Sequence, residues 1–250
     1  MAKALLKTFY HSIKYYLQRL IIKSSFPEVS FVKSRLSHSS RTLNRDQLFS
    51  YSQFGQDLIL DKLLGGIANG VFLDVGSNHP LYNSNTAFFE VGRGWTGVCI
   101  DPLATFIDLY PVLRPNSTFI NYAVSDTNGI IPFSVVSNSS GWEDQLSSTA
   151  PSIRGYRSER INVVCKRLDE ILSELCYSSS DIDFMSLDVE GHEPSVLRSL
   201  GHYRPKYLLV ENIFPFYGSN KLRMTLRSMG YVFIKRIWST DDLFVFADHD

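Results

Sequence analysis

The sequence predicts a doubly wound, mostly parallel α/β sheet of seven strands, with a two-strand insertion and an N-terminal helical arm. Three observations lead there. Apolar runs of strand length alternate with segments of helical period from about residue 53 onward. The central runs are followed by carboxylates, namely Asp74, Asp101, Asp126, Asp188 and Glu211. The alternation breaks once, between Ile130 and Cys165, and then resumes.

Composition bounds the answer. The 250 residues suit one α/β domain with at most an appendage. With 44% apolar and 20% charged residues, wholesale disorder is excluded. Cys99, Cys165 and Cys176 are too scattered for a disulfide framework or a paired-cysteine zinc site, so reduced thiols and a cytoplasmic setting are expected. The net charge of zero gives no sign of a nucleic-acid partner. That zero is a cancellation. Residues 1–45 hold nine basic side chains and the single acid Glu28, a net +8, so the remainder carries −8.

The arm has helical period, with Leu5, Leu6, Phe9, Ile13, Tyr16, Leu17, Leu20 and Ile21 in one arc. No apolar run reaches the ~18 residues of a spanning helix. Three readings stay open: a helix docked on the acidic body or on a second subunit of a homodimer, residues 3–23 lying on an anionic membrane surface, or an organellar presequence. Residues 24–45 read as a linker, and 46–250 as the folded domain.

Within the body, Gln53–Leu64 reads as a helix stopped by Gly65-Gly66. Strand Val71–Val75 and helix Ser84–Val91 follow, the latter with Ser84 and Asn85 as candidate caps. Next come strand Thr96–Ile100, helix Leu103–Leu113 and strand Ser117–Val124. Ile130–Val136 and Ile161–Cys165 are the inserted strands. Helix Leu168–Cys176, strand Ile182–Leu187, helix Glu193–Leu200, strand Tyr207–Val210 and helix Lys221–Met229 restore the rhythm. Strands Tyr231–Ile237 and Leu243–Phe246, joined by a short loop, are expected to be antiparallel neighbours.

In such sheets ligands bind beyond the carboxyl ends of the strands. The first loop carries Gly76, Asn78 and Leu81 where a diphosphate fingerprint would place three glycines, which argues against a dinucleotide and against nicotinamide chemistry. An acid just before a single glycine suits a ligand with an ammonium group, such as S-adenosylmethionine. Asp74 would lie near its amino-acid end, Gly76 would let the backbone approach it, Asp101 would accept the ribose hydroxyls and Asp126 the adenine amino group. Asp126 can equally cap the turn at Asn128-Gly129.

The segments Gln53-Phe-Gly-Gln-Asp57, Phe72-Leu-Asp-Val-Gly-Ser-Asn78, Ile100-Asp-Pro102, Ala123-Val-Ser-Asp126, Arg167-Leu-Asp-Glu-Ile171 and Ser186-Leu-Asp-Val-Glu-Gly-His-Glu193 occur in this order. Over residues 51–235 the chain thereby resembles FkbM-type methyltransferases. The resemblance implies a class I methyltransferase (Rossmann-like) fold and S-adenosylmethionine as cofactor, with Gln53, Gln56 and Asn78 joining the residues above. The expected reaction is O-methylation of a sugar, glycan or polar natural product. The opening at Ser52 is similar to a subgroup that includes Star-type proteins, which implies the alternative of a catalytically weak, membrane-associated binding module.

For catalysis, the candidates are Asp188, Glu190 and His192. His192 is expected to gain basicity from the flanking acids, or else to be an ordinary polar residue of a first helical turn. Asp188, Glu211 and Asn212 resemble the all-oxygen Mg²⁺ set of catechol-type O-methyltransferases, the alternative being structural hydrogen bonding. Trp142, Gln145 and Tyr156 in the insertion, with Phe214, Phe216 and Tyr217, are candidate acceptor-site walls or plain loop packing.

Overall fold

The computed structural model describes residues 50–136, 147–149, 158–213, 219–237 and 240–247. The arm, the linker, Trp142, Gln145, Tyr156, Phe214, Phe216 and Tyr217 lie outside them.

Among the described residues, ten strands form two sheets. The larger has the order β3-β2-β1-β7-β8-β10-β9, built from β1 (Val71–Val75), β2 (Thr96–Ile100), β3 (Ser117–Ile120), β7 (Phe184–Leu187), β8 (Tyr207–Glu211), β9 (Tyr231–Ile237) and β10 (Asp241–Phe246). Five strands run parallel, and β10 enters antiparallel between β8 and β9. The chain winds outward from β1 through β2 to β3, then returns to the other side of β1 as β7. The switch point therefore lies between β1 and β7, where a crevice is expected.

The helices cover both faces. On one face, α4 (Leu168–Glu174), α5 (Glu193–Arg198) and α6 (Ser219–Ser228) accompany a core that includes Leu73, Val75, Leu187, Val210 and Leu226. On the other, α1 (Gln56–Leu63) and α2 (Ala87–Arg93) contribute Leu60 and Phe89 to a core with Phe72, Trp95 and Phe184. Alternation along β1 explains the division, since Phe72 faces one layer while Leu73 and Val75 face the other. The apolar burial of both faces is what stabilises a parallel sheet. No helix among the described residues is long and apolar enough to cross a membrane.

Two expected elements differ. The helix expected over 103–113 is a 3₁₀ turn, Ala104–Phe106, followed by the single-turn α3 (Tyr110–Leu113). Pro111 supplies no N–H and its ring excludes a preceding helical carbonyl, so it sits in the first turn of a restarted helix. The strand expected over 117–124 divides at Asn121-Tyr122. Its second half, β4 (Ala123–Val124), leaves the main sheet and pairs with β6 (Ser158–Lys166), which also pairs antiparallel with β5 (Gly129–Val136). Leu103, which follows β2, joins Ala123, Phe133 and Val163 in the core of this small sheet.

A buried ion pair joins α2 to the segment that enters β3. Arg114 and Glu90 have side chains 0% and 2% exposed and meet at 2.6 Å. The guanidinium also donates to Pro80 O at 2.9 Å and Thr86 Oγ1 at 3.1 Å, while Glu90 accepts from Asn116 N at 2.9 Å and from the Ser117 hydroxyl. Removing one partner strands a charge in an apolar layer. Arg114→Met or Glu90→Gln is accordingly expected to lower the unfolding free energy by about 3–5 kcal/mol in urea titrations, the cost of breaking a buried pair. A loss below about 1 kcal/mol, the level of an exposed pair, would contradict this.

Candidate active site

At the switch point the strand ends open into a cleft of about 510 Å³, part of it continuous with solvent. Its lining comes from four places: Gly76 and Asn78 after β1, Asp101 to Leu103 after β2, the small sheet with Ala123, Val124 and Phe133, and Asp188, Val189, Glu190 and His192 after β7. Ser147 and Thr149 of the insertion complete one wall.

The first loop is built by its contact with the fourth. Gly76 has φ 84°, and a Cβ there would stand 1.7 Å from the Asp188 carbonyl oxygen. The glycine is thus required by the approach of two backbone segments of the protein, in addition to any approach to a ligand. Asn78, at φ 42°, donates its N–H to Asp101 Oδ2 at 2.9 Å, and Leu103 N donates to Asp101 Oδ1 at 2.8 Å. These bonds fix the Asp101 carboxylate at the cleft wall. Ser77, beside Gly76, is buried, and its hydroxyl has no hydrogen-bond partner among the described residues.

The loop after β7 carries the densest charge. Glu190 takes a left-handed conformation, φ 53°, ahead of Gly191 at φ 93°. A bulky residue in this region is strained unless the surroundings hold it. Glu193 does so, accepting from Val189 N at 3.2 Å and Gly191 N at 3.0 Å. Carboxylate oxygens of Asp188, Glu190 and Glu211 lie within 4.8 Å of one another. Burial, then the Asp188 and Glu190 charges, pushes Glu211 up to about 12. Burial likewise raises Asp188, which is hydrogen-bonded to Glu211, so the pair holds a proton at neutral pH. Burial and the Glu193 charge raise Glu190 to about 7.

The structure thus brings together Gly76, Asn78, Asp101, Asp188, Glu190 and His192 in the cleft. Four residues expected at the cofactor do not line it. Gln53 is exposed. Gln56 is buried and donates to Asp241 Oδ2 at 3.0 Å, because α1 starts at Gln56 and aims its first turn at the start of β10. Asp74 lies beneath the loop and accepts from Thr86 Oγ1 at 2.5 Å, in the Arg114 network, with burial raising it to about 6. Asp126 is turned outward to Arg198 Nε at 2.7 Å, and this bond lowers it.

Of the expected metal set, Asp188 and Glu211 meet, but Asn212 donates to Asp242 Oδ2 at 2.7 Å and Glu190 takes the third position. His192 also differs from expectation. Burial lowers its pKa and outweighs the attraction of Asp126.

Glu193, Thr149, Ser125 and Arg114 were not singled out from the sequence. Glu193 ends a recognisable segment, whereas Arg114 lies between two prolines with no pattern to mark it. The opening at Ser50–Asp57 has a structural task, since buried Asp57 accepts from Ser50 Oγ at 2.6 Å, Tyr51 N at 2.6 Å and Ser52 Oγ at 2.8 Å.

The raised acids have a consequence for stability. Glu190 binds a proton in the folded chain up to about pH 7, whereas the unfolded side chain releases it near its ordinary 4.5. The protonated fold is therefore favoured below that ordinary value, and its advantage is lost as pH rises through about 7. Melting temperature is expected to fall between about pH 5 and about pH 8, and Glu190→Gln should flatten that slope. An equal slope in both proteins would show that Glu190 is not the titrating group.

Among solved structures, the chain is similar to the Burkholderia thailandensis 1,6-didemethyltoxoflavin-N1-methyltransferase with bound 1,6-didemethyltoxoflavin and S-adenosylhomocysteine, at 12% identity, TM-score 0.42 and 77% coverage of each chain. It is also similar to a candidate RNA methyltransferase of Pyrococcus horikoshii, at 9% identity and TM-score 0.44, covering 90% of this chain and 96% of that one. Monomeric WbdD is a third, at 16% identity and TM-score 0.41, with 89% of this chain and 47% of that one covered. No curated protein matches the sequence significantly. Residues 74–233 match the profile of the methyltransferase FkbM domain, a span that includes all of the cleft's described lining. The chain belongs to the FkbM methyltransferase family.

Proposed function

We propose that this methyltransferase uses S-adenosylmethionine to methylate a hydroxyl of a sugar, glycan or polar natural product. The observation that carries the reading is the meeting, in one cleft at the switch point, of a fixed carboxylate after β2 with the acids after β7.

The residues fit such a cofactor. Asp101 has two oriented oxygens, each able to accept more than one hydrogen bond, as a ribose diol requires. Leu103, Val124 and Phe133 offer an apolar wall for a purine. When bound, S-adenosylmethionine supplies an electrophilic methyl group on its sulfonium.

The chain's own chemistry is then positioning and proton removal. Glu190 lines the cleft with a pKa near the working pH, the condition for a general base, and it takes the proton of the acceptor hydroxyl. Asp188 lines the cleft beside Glu190 and contributes to positioning the acceptor, its own proton being shared with Glu211. The nearness of Asp188, Glu190 and Glu211 also favours a second reading, in which these hard oxygen ligands hold Mg²⁺ against the acceptor oxygen.

Calorimetry of the full chain with S-adenosylhomocysteine should show micromolar-range binding that Asp101→Ala abolishes, and absence of binding by the wild type would overturn the cofactor reading. Transfer of labelled methyl to a cell extract, fractionated into lipid, glycan, protein and small-molecule pools, identifies the acceptor class. Glu190→Gln should lower kcat by about 10²–10⁴ and remove a rise in rate centred near pH 7. Activity that survives EDTA counts against Mg²⁺.

A further inference from the structure

The insertion returns to the cleft through a short described segment. Ser148 exchanges two backbone hydrogen bonds with Ser134 of β5, at 2.8 and 3.1 Å, and Ser147 Oγ accepts from Val136 N at 3.0 Å. The next residue, Thr149, lines the cleft and meets His192 Nδ1 at 3.2 Å through its hydroxyl. On the other side of the imidazole, Nε2 lies 2.9 Å from Ser125 Oγ. Ser125 Oγ in turn donates to Asp126 Oδ1 at 3.1 Å, and Asp126 Oδ2 is held by Arg198.

The direction of every bond in this series follows from one end. An ionised carboxylate only accepts, so the Ser125 proton points to Asp126. Ser125 Oγ must then accept from His192, which places the ring proton on Nε2. A neutral ring, the form an ordinary histidine takes above about pH 7, leaves Nδ1 to accept from Thr149. The proton order is Thr149 to His192 to Ser125 to Asp126.

We infer that His192 is a positioning residue that fastens Thr149, and with it the insertion's wall of the cleft, to the ends of β4 and α5 through this one-directional chain of hydrogen bonds. Its unprotonated nitrogen is engaged by Thr149, which leaves the acceptor's proton to Glu190. The inference rests on reading the cleft as the cofactor site, and it gives Asp126 a role that does not require contact with the cofactor. Asp126 sets the tautomer of His192 from outside the cleft.

Two measurements on the full chain test this. Nitrogen NMR of the imidazole should show a protonated Nε2 and a bare Nδ1 for His192, and Ser125→Ala should remove that preference. The opposite tautomer, or no response to Ser125→Ala, overturns the chain. In titrations with S-adenosylhomocysteine, Thr149→Val and His192→Gln should each weaken Kd by about three- to tenfold, the range for one hydrogen bond. The double variant should be no weaker than the weaker single one, since both remove the same link. Wild-type affinity in either single variant, or additive losses, overturns the inference. If the wild type does not bind the probe at all, the cofactor reading fails, while the tautomer measurement still decides the chain.

Discussion

The buried pair of Arg114 and Glu90 is the interaction on which the cleft depends. Its partners come from the loop after β1, from α2 and from the start of β3, and the guanidinium also stands 5.1 Å from the Phe72 ring centroid in β1. A charge placed there is tolerated only because its N–H groups meet a carboxylate, a carbonyl or a hydroxyl. Those acceptors belong to the segment that must turn from β1 to α2, so satisfying the charge also fixes the turn. Gly76 and Asn78 sit at the start of that turn, and Asn78 in its place holds Asp101. The geometry of the Asp101 side of the cleft is thereby inherited from a network that never touches it.

The opposite side is held by a different means. Three strands deliver acids to nearby points: Asp188 and Glu190 follow β7, Glu211 ends β8, and Asp241 opens β10 opposite Glu211. Mutual repulsion and burial would expel such a group, and the fold answers in two ways. Glu193 binds the backbone of the loop, and Asp188 and Glu211 share a proton. What remains is an acid, Glu190, strained in its backbone and raised in pKa, which is the combination expected of a working group more than of a scaffold.

Much of this was legible in the sequence, for reasons specific to the residues. Val71–Val75, Thr96–Ile100 and Tyr231–Ile237 match their observed spans because a short apolar run bounded by turn residues has few alternatives. Asp101 and the Asp188–Glu193 segment fell where expected because a parallel sheet puts all its strand ends on one edge. Elsewhere local pattern misled. The run from Ser117 to Val124 reads as one strand, yet its last two residues pair with β6, a partner more than thirty residues distant. Asp74 and Asp126 sit one strand end from the cleft and still miss it, because Thr86 and Arg198 capture their carboxylates.

The sequence by itself determined the alternation of strands and helices, the edge at which the acids gather and the family to which the chain belongs, since periodicity and motif spacing are local properties. Tertiary structure decided which acids share a proton, which face the cleft and which are neutralised elsewhere. It also decided that β10 enters between β8 and β9, which places Asp241 beside Glu211. Burial and the direction of each hydrogen bond depend on groups far apart in the chain, and a carboxylate's chemistry is set by those neighbours more than by its own identity.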